Sequence, residues 1–322
     1  MSQCFYMSDY TATTTGRLDH ILSTEVAHSR TQAKKLIQER KISVNGTVVK
    51  KPAYIVKAGD IISVAEIRES PLQEKNIESV NLHLEVLYED DACLVLNKPA
   101  GIAVHPAASM PQGEQTILSG VAFLFRERSI PFSADAVLVH RLDKETTGCL
   151  LIAKSAAAHV ALQKQFEKRT VEKTYLALVA GIPDPPEAMI DAPVGRNLLN
   201  RLKMSVLRTS VSREARTTYH TLSTSDNCAF LACDLHTGRT HQIRVHLRSI
   251  GHPILGDTTY VSHTSQNITE NYQITGLCLH AWKLAFLSPA TDQRQCIVAP
   301  LSSIFTSALA SIGIMPPTAT AD

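Results

Sequence analysis

One stretch of the sequence places polar groups directly before an apolar segment. Within residues 140–148 the carboxylate Asp143 lies between the cations Arg141 and Lys144, and residues 149–153 are apolar throughout. A polar loop that enters a buried strand can hold a nucleophile in a fixed position. Asp143 could also do no more than cap a turn, as aspartates in loops often do. Arg141 is a planar cation suited to a phosphate or to a gap in a base stack.

A second stretch, residues 235–251, is rich in arginine and histidine. Thr240 is a candidate N-cap, Gly251 follows the last apolar position, and Arg244 falls inside the helix that these signals delimit. The apolar stripe of that helix consists of Ile243, Leu247 and Ile250. The sequence therefore predicts an amphipathic helix that could bring Arg244 to the loop of Asp143.

Other kinds of catalytic site are less well supported. His236, His241 and His246 could suggest a zinc-dependent hydrolase, but His241 and His246 are five residues apart and do not share a helical face. No serine or cysteine motif is present, and Glu145 would face away from Asp143 on a strand. The histidine spacing thus disfavours a metal site, and we expect none.

Composition predicts a globular cytoplasmic protein. The 322 residues are 44% hydrophobic and 19% charged, which is enough for a sizeable core and more than one domain. The seven cysteines form no C-x-x-C pair, residues 1–10 lack a signal-peptide pattern, and no apolar run approaches about 18 residues. We therefore expect reduced thiols and no membrane span.

Charge divides the chain unevenly. Residues 17–57 contain nine cations and three acids, a net charge of +6, whereas the remainder carries −4. A basic module ahead of a mildly acidic body suggests that the first part binds a polyanion on which the second part acts.

The basic module has the signals of two short helices and a hairpin. Leu18, Ile21, Leu22 and Val26 recur at helical spacing, Ser29 begins a capping box for a helix that ends near Arg40, and Asn45-Gly46 predicts a type I′ turn. Arg17-Leu-Asp, residues 29–37 and Val44-Asn-Gly resemble the small RNA-binding domain first described in ribosomal small-subunit protein S-four. The resemblance covers residues 15–65. It implies four phosphate contacts, Arg30, Lys34, Lys35 and Lys50.

The rest of the chain, after the basic module, has the sequence pattern of strands separated by turns, with a few helices. Residues 66–81 are charged and aperiodic and are the predicted linker; residues 82–300 form the second domain, and residues 301–322 a tail. Residues 182–200 are predicted to be mostly loop. The expected fold is α+β: a mixed, largely antiparallel β-sheet domain with flanking helices, preceded by the small α-α-β-hairpin domain.

Several motifs of the body resemble the RluA/RluD family of pseudouridine synthases. They are His140-Arg-Leu-Asp-Lys-Glu-Thr-Thr-Gly, Asn97-Lys-Pro-Ala-Gly, Lys173-x-Tyr175, Thr237-Gly-Arg-Thr-His-Gln-Ile-Arg-Val-His246 and Gly256-Asp257-x-x-Tyr260. Two positions depart from the family pattern: Val261 stands where glycine is usual, and Gly276 where arginine is frequent.

The resemblance implies a cofactor-free isomerase that detaches uracil from ribose in RNA and rejoins it through C5. We also expect a monomer. Asp143 would be the nucleophile, at the base or at C1′; Arg141 would fill the space of the flipped uridine. Tyr175 would stack on the base and help in proton removal, and Arg244 would pair with Asp143. Large-subunit ribosomal RNA is the expected substrate. Transfer RNA and a non-catalytic RNA-binding ribosome assembly factor are the alternatives.

Overall fold

The computed structural model describes residues 6–25, 30–66, 77–106, 110–111, 113–200, 203–207 and 209–315. The chain divides into two compact units, residues 1–74 and 75–322. Most of the predicted linker, residues 67–76, lies outside the described residues. Among the residues that are described, no helix is long and apolar enough to cross a membrane.

The first unit contains two helices and short antiparallel strands. In chain order these are β1 (Tyr6–Thr11), β2 (Gly16–Arg17), α1 (Leu18–Glu25), α2 (Arg30–Gln38), β3 (Ile42–Val44), β4 (Thr47–Val48), β5 (Ile55–Val56) and β6 (Ile61–Glu66). One sheet has the order β1-β6-β3-β4, and β2 pairs with β5. Leu18, Leu22 and Ile37 are fully buried where the helices face this sheet. The predicted order of helices and hairpin is confirmed, whereas β1, which pairs with β6, was not predicted.

The Asn45-Gly46 turn has the backbone that its sequence indicates. Asn45 has φ 49° and Gly46 φ 75°, the two positive values that a type I′ turn requires. The Asn45 side chain also donates to Asp60 and accepts the Ile61 N–H, each at 2.9 Å. These bonds fix the turn against the start of β6.

The second unit holds the remaining elements. They are β7 (Glu85–Glu89), β8 (Cys93–Lys98), α3 (Ile117–Glu127), β9 (Thr147–Ala153), α4 (Ala156–Glu167), β10 (Glu172–Ala180), β11 (Glu187–Asp191), β12 (Val194–Asn197), β13 (Met204–Ser205), β14 (Thr209–Arg213), β15 (Arg216–Ser225), β16 (Cys228–Leu235), α5 (Gln242–Ser249), α6 (His263–Asn271), β17 (Leu279–Leu287), β18 (Arg294–Val298) and α7 (Ser303–Ile312).

A nine-stranded sheet forms the centre of this unit. Its order is β11-β15-β16-β10-β17-β9-β8-β7, with β18 beside β17, and every pairing is antiparallel except that of β9 with β17. A smaller sheet has the order β13-β12-β14. The predicted α+β class with a mixed, largely antiparallel sheet is therefore confirmed.

Strand β9 is buried on both faces because each face packs on a different core. Leu150 and Ile152 belong to the larger core, with Phe125 of α3 and Phe305 of α7. Cys149, Leu151 and Ala153 face the opposite way and pack with Leu162 of α4. The two-residue period of a strand thus explains why the sequence after the loop of Asp143 is continuously apolar.

Two segments differ from the expectation. Residues 182–200, predicted to be mostly loop, contain β11 and β12. The stretch after residue 301, predicted to be a tail, contains α7, and its Phe305, Leu309 and Ile312 are buried in the larger core. Residues 316–322 lie outside the described residues.

Candidate active site

A cleft of about 470 Å³ opens in the second unit beside the loop of Asp143. Its walls come mainly from that loop, the end of α4, the start of β10, and the segment that joins β16 to α5 together with the first turn of α5. These segments are distant in sequence and meet because β9, β10 and β16 are strands of one sheet. Asp143, Tyr175, Arg244 and Arg141 all line this cleft.

Arg244 connects two carboxylates at the base of the cleft. Its Nε and Nη2 donate to the two oxygens of Asp257, at 2.7 and 2.9 Å, and its Nη1 donates to Asp143 Oδ2 at 3.2 Å. The Arg244 side chain is 8% exposed and that of Asp143 15%. Asp257 is fully buried and also accepts the backbone N–H groups of Thr259 and Tyr260. Of these two carboxylates, that of Asp143 lines the cleft and that of Asp257 does not.

This arrangement keeps the buried charges ionised. Burial acts to lower the pKa of Arg244, but the hydrogen bonds and charge of Asp257, together with Asp143, raise it above its ordinary value. Burial acts to raise the pKa of Asp257, and the bond to Arg244 outweighs it, so that pKa is lowered. Arg244 therefore remains a cation beside Asp143.

Tyr175 forms part of the cleft wall. It lies in β10 opposite the extra residue of β17, Trp282, is 8% exposed, and its hydroxyl makes no hydrogen bond with the described residues. Burial, and next the charge of Asp143, raise the pKa of Tyr175 well above that of a free phenol. Its ring therefore offers an uncharged aromatic surface with an O–H available to a ligand.

His241 is a further group beside Asp143. It precedes α5 with φ 57°, so the backbone is left-handed, and its Nδ1 lies 2.8 Å from Tyr260 Oη. Because Oη already accepts the Met204 N–H at 2.8 Å, its own O–H can donate to Nδ1, which leaves the imidazole proton on Nε2. Nε2 lies 3.8 Å from Asp143 Oδ2. Burial lowers the pKa of His241, opposed in part by Asp143, so a neutral imidazole faces the carboxylate.

Lys98 stabilises the loop that contains Asp143 through hydrogen bonds to its backbone. Its side chain is fully buried, and Nζ donates to the carbonyls of Pro99, Lys144 and Thr146 at 2.8, 2.8 and 2.9 Å. Three acceptors match the three N–H groups of an ammonium, whereas a neutral amine has two. Burial lowers the pKa of Lys98 to about 8, although the carboxylates of Glu145 and, next, Asp143 oppose this shift. The buried charge fixes the backbone after Asp143.

His140 is a structural residue of the same loop. Its Nε2 accepts the Leu151 N–H at 2.8 Å, and its ring stacks on Phe166 with centroids 4.9 Å apart. Burial, with a smaller contribution from the charge of Lys173, lowers the pKa of His140 to about 3. The neutral ring therefore ties the loop to β9 and α4.

The side chain of Arg141 is exposed and is not held by other described residues. Its side chain is exposed at the edge of the cleft, and within the described part of the chain its guanidinium forms neither a hydrogen bond nor an ion pair. Its charge is the smallest of the effects that lower the pKa of His241.

The three histidines that could have suggested zinc do not converge. His236 contacts Thr218, and His246 contacts Thr217 Oγ1 and the Ala192 carbonyl, each at 2.9 Å. No group of three or more potential metal ligands occurs among the residues that the structure describes.

The candidate phosphate contacts lie in the first unit. Lys34 on α2 and Lys50 after β4 are exposed. Arg30 and Lys35 also belong to α2, but their side chains lie outside the described residues, as does Ser29.

Several site residues were not predicted from the sequence. Thr240 was the expected N-cap, yet His241 caps α5 and approaches Asp143 instead. Asp257 and Tyr260 belong to the Gly-Asp-x-x-Tyr motif, and Lys98 to the Asn-Lys-Pro motif, to which no role had been given. The available signal was the presence of polar residues inside otherwise apolar or turn segments.

Comparisons with known proteins show the family of this chain. Residues 92–249 match the RNA pseudouridylate synthase family, and residues 16–62 match the S4 domain. An RNA pseudouridine synthase of Synechocystis is 34% identical and spans 91% of this chain and 88% of the relative. The ribosomal large subunit pseudouridine synthase D of Vibrio cholerae is 37% identical and spans 85% and 83%.

The fold agrees as well. Human RNA pseudouridylate synthase domain containing 4 superposes with a TM-score of 0.59 and 27% identity, over 72% of this chain and 94% of the human one. The resemblance noted in the sequence is therefore confirmed. The chain belongs to the RNA pseudouridine synthases, isomerases that act on RNA, and carries an S4 domain near its N-terminus.

Proposed function

We propose that this enzyme converts specific uridines of large-subunit ribosomal RNA to pseudouridine, with Asp143 as its covalent nucleophile. The observation that supports this role is the hydrogen bond from Arg244 to Asp143 Oδ2 at the base of the cleft. Within the described residues, Oδ1 accepts no hydrogen bond and is free for a substrate. Relatives named ribosomal large subunit pseudouridine synthase D support the choice of RNA.

The proposed reaction breaks the N1–C1′ bond and forms a C5–C1′ bond, while C5 loses a proton and N1 gains one. A carboxylate can bond transiently to C1′ or to the base and then leave, which divides one difficult step into two. Asp143 suits this role because Arg244 holds it in place. The neutral His241 offers an N–H towards the same carboxylate and limits where it can move.

Tyr175 and Arg141 would handle the flipped nucleotide. Extruding a base costs a few kcal/mol, which a side chain that fills the gap can partly offset. Arg141 is exposed and forms no hydrogen bond or ion pair with the described residues, as such a wedge requires. Tyr175 offers its ring for stacking. Because its pKa is raised, the phenol stays protonated near neutral pH and serves as a hydrogen-bond donor to the base rather than as a phenolate base.

The S4 domain supports a role in holding the RNA. The exposed Lys34 and Lys50, with Arg30 and Lys35 on α2, would contact phosphates and position the RNA without reading its sequence. The proposal includes a cytoplasmic location, where ribosomal RNA is found. It also includes action as a monomer.

Mapping pseudouridines in ribosomal and transfer RNA from cells with and without the protein tests this proposal. Loss of defined pseudouridines from large-subunit ribosomal RNA alone is the expected result. Loss only from transfer RNA would overturn the substrate, and no loss from either RNA would favour the alternative of a non-catalytic assembly factor.

A further inference from the structure

The cations of the cleft differ in what they bind. Arg244 is committed to Asp257, and Arg169 makes two bonds to the carboxylate of Glu214, at 3.2 and 3.1 Å. Arg239 donates its Nε to the backbone carbonyl of Glu214 at 3.1 Å. These three guanidinium groups are therefore already held by acceptors of the protein.

Lys173 is in a different situation. It lines the cleft and is half-buried, yet within the described ranges its ammonium has neither a hydrogen bond nor an ion pair. The ammonium lies over an aromatic ring, with Nζ 5.7 Å from the centroid of Phe166. Glu167 also lines the cleft but forms no salt bridge with it. Burial, and next the charge of Arg169, lower the pKa of Lys173 to about 8.

A half-buried cation without an anion is unfavourable, because burial removes water without supplying a countercharge. Packing of the aliphatic stem on Phe166 would account for the burial of the stem but not for a charged end directed into a cleft. An anionic group of a ligand would supply the missing countercharge.

The strand sets the distance between Lys173 and Tyr175. Both belong to β10, and since they are two residues apart their side chains project on the same side, about 7 Å apart along the strand. The pairing of β10 with β17 shifts register between residues 174 and 175, but the extra residue is Trp282 of β17, and β10 pairs regularly with β16 at both positions. A nucleotide whose base stacks on Tyr175 carries its own phosphate at a comparable reach from the ring.

We propose that Lys173 binds a phosphate oxygen of the nucleotide whose base lies against Tyr175. This subsite deepens the proposed function and rests on it, because the ligand is the RNA backbone at the reacting uridine. Arg141 would fill the stack that the base has left, whereas Lys173 would fix the backbone of the extruded nucleotide. Arg141 and Lys173, which have no hydrogen bond or ion pair with the described residues, would thus contact different parts of the RNA.

The test compares Lys173→Met and Lys173→Arg with a control, Lys164→Met. Lys164 is an exposed lysine of α4 that does not line the cleft. Binding of a short single-stranded oligouridylate to the full chain is measured over a range of KCl concentrations. We expect Lys173→Met to reduce the log-log salt slope by about 0.7, the amount typical of one lost phosphate contact to single-stranded RNA. Lys173→Arg and Lys164→Met should keep the wild-type slope.

An unchanged slope in Lys173→Met would overturn the phosphate subsite, as would an equal loss of slope in Lys164→Met. If the methionine variant does not fold, Lys173→Gln is measured in the same way, with the same expected loss. Pseudouridine formation by the wild type on ribosomal RNA is assayed in parallel. Its absence would reject the proposed function, whereas the slope reports on the Lys173 contact independently of turnover.

Discussion

Arg244 binds Asp257 with two hydrogen bonds and Asp143 with one. The bonds to Asp257 are 2.7 and 2.9 Å long, and the bond to Asp143 is 3.2 Å. Asp257 therefore determines the orientation of the guanidinium, and Asp143 accepts a single bond from it. A bidentate pair between Arg244 and Asp143 would have occupied both oxygens of the proposed nucleophile.

Asp257→Asn should reduce both stability and turnover. Removing one partner of a buried ion pair typically costs about 3–5 kcal/mol, and the freed guanidinium could turn fully onto Asp143. Chemical unfolding and kcat for pseudouridine formation measure the two effects. Glu172→Gln is the matched control, since its pair with Arg294 is exposed and should contribute at most about 1 kcal/mol. A kcat for Asp257→Asn equal to that of the wild type would contradict the positioning role.

Lys98→Met should lower kcat and remove an alkaline loss of activity. As pH rises through about 8, the wild-type amine loses a proton and one of its three carbonyls loses a donor, so kcat should fall. The variant lacks this ammonium and should show a low kcat at saturating RNA without this limb, whereas Lys173, whose pKa is also about 8, should affect KM through RNA binding. A pH–rate profile of both proteins provides the measurement. Identical alkaline limbs in the profiles of the wild type and Lys98→Met would contradict the role of the Lys98 ammonium.

The same lysine predicts how stability depends on pH. Its folded pKa is about 8, below the ordinary value of 10.5, so between these pH values the unfolded state binds more protons than the folded state. The stability of the wild type relative to Lys98→Met should therefore rise from pH 8 to 10.5. Urea unfolding at both pH values checks the sign, and a relative stability that falls over this range would refute it.

His140→Phe should destabilise the second unit at neutral pH. The phenyl ring can still stack on Phe166, but the buried Leu151 N–H loses its acceptor, which typically costs about 1–3 kcal/mol. Because the folded pKa is lowered to about 3, the unfolded state takes up a proton below 6.5, and this part of wild-type stability is lost as pH falls from 6.5 to 3. Chemical unfolding at pH 7 and pH 5 should show that the free energy of unfolding differs less between the wild type and His140→Phe at pH 5. An equal difference at both pH values would exclude a neutral buried His140.

Gly148→Ala should disrupt the junction between the loop and β9. Gly148 has φ 105°, and a Cβ there would lie 2.2 Å from the Ala281 carbonyl oxygen, where β9 pairs in parallel with β17. Gly251→Ala is the control: its φ is 91°, but no atom lies within 4 Å of the added Cβ. The control should lose only about 1–2 kcal/mol for the left-handed backbone. Comparable thermal stability of the two variants would contradict the close approach at Gly148.

Local patterns in the sequence were sufficient for many elements of the fold. The stripe of Ile243 and Leu247 predicted α5, and Asn45-Gly46 predicted the hairpin. These signals work because the periodicity of burial and the backbone preference of single residues act over a few positions. Strands β11 and β12 were not predicted, since prolines and glycines surround them and the strands are fixed by pairing with distant partners.

The candidate site was only partly predictable for a related reason. The role of Asp143 was inferred from the resemblance of residues 140–148 to the family motif, because a carboxylate before an apolar strand by itself leaves a turn-capping role open. The bond between Arg244 and Asp257 depends on the turn after residue 254, and no spacing rule predicts it. His241 was missed because its left-handed φ arises where the segment after β16 meets α5, and such a value is rare for a non-glycine residue.

The nucleophilic role of Asp143 is tested most directly by Asp143→Asn in a single-turnover assay on ribosomal RNA, with RNA affinity measured in parallel. The asparagine keeps the shape of the side chain and can still accept the Arg244 bond through its amide oxygen, but it cannot act as a carboxylate nucleophile. We predict no detectable pseudouridine together with RNA binding close to that of the wild type. Pseudouridine formation at a rate near that of the wild type would contradict the proposed mechanism.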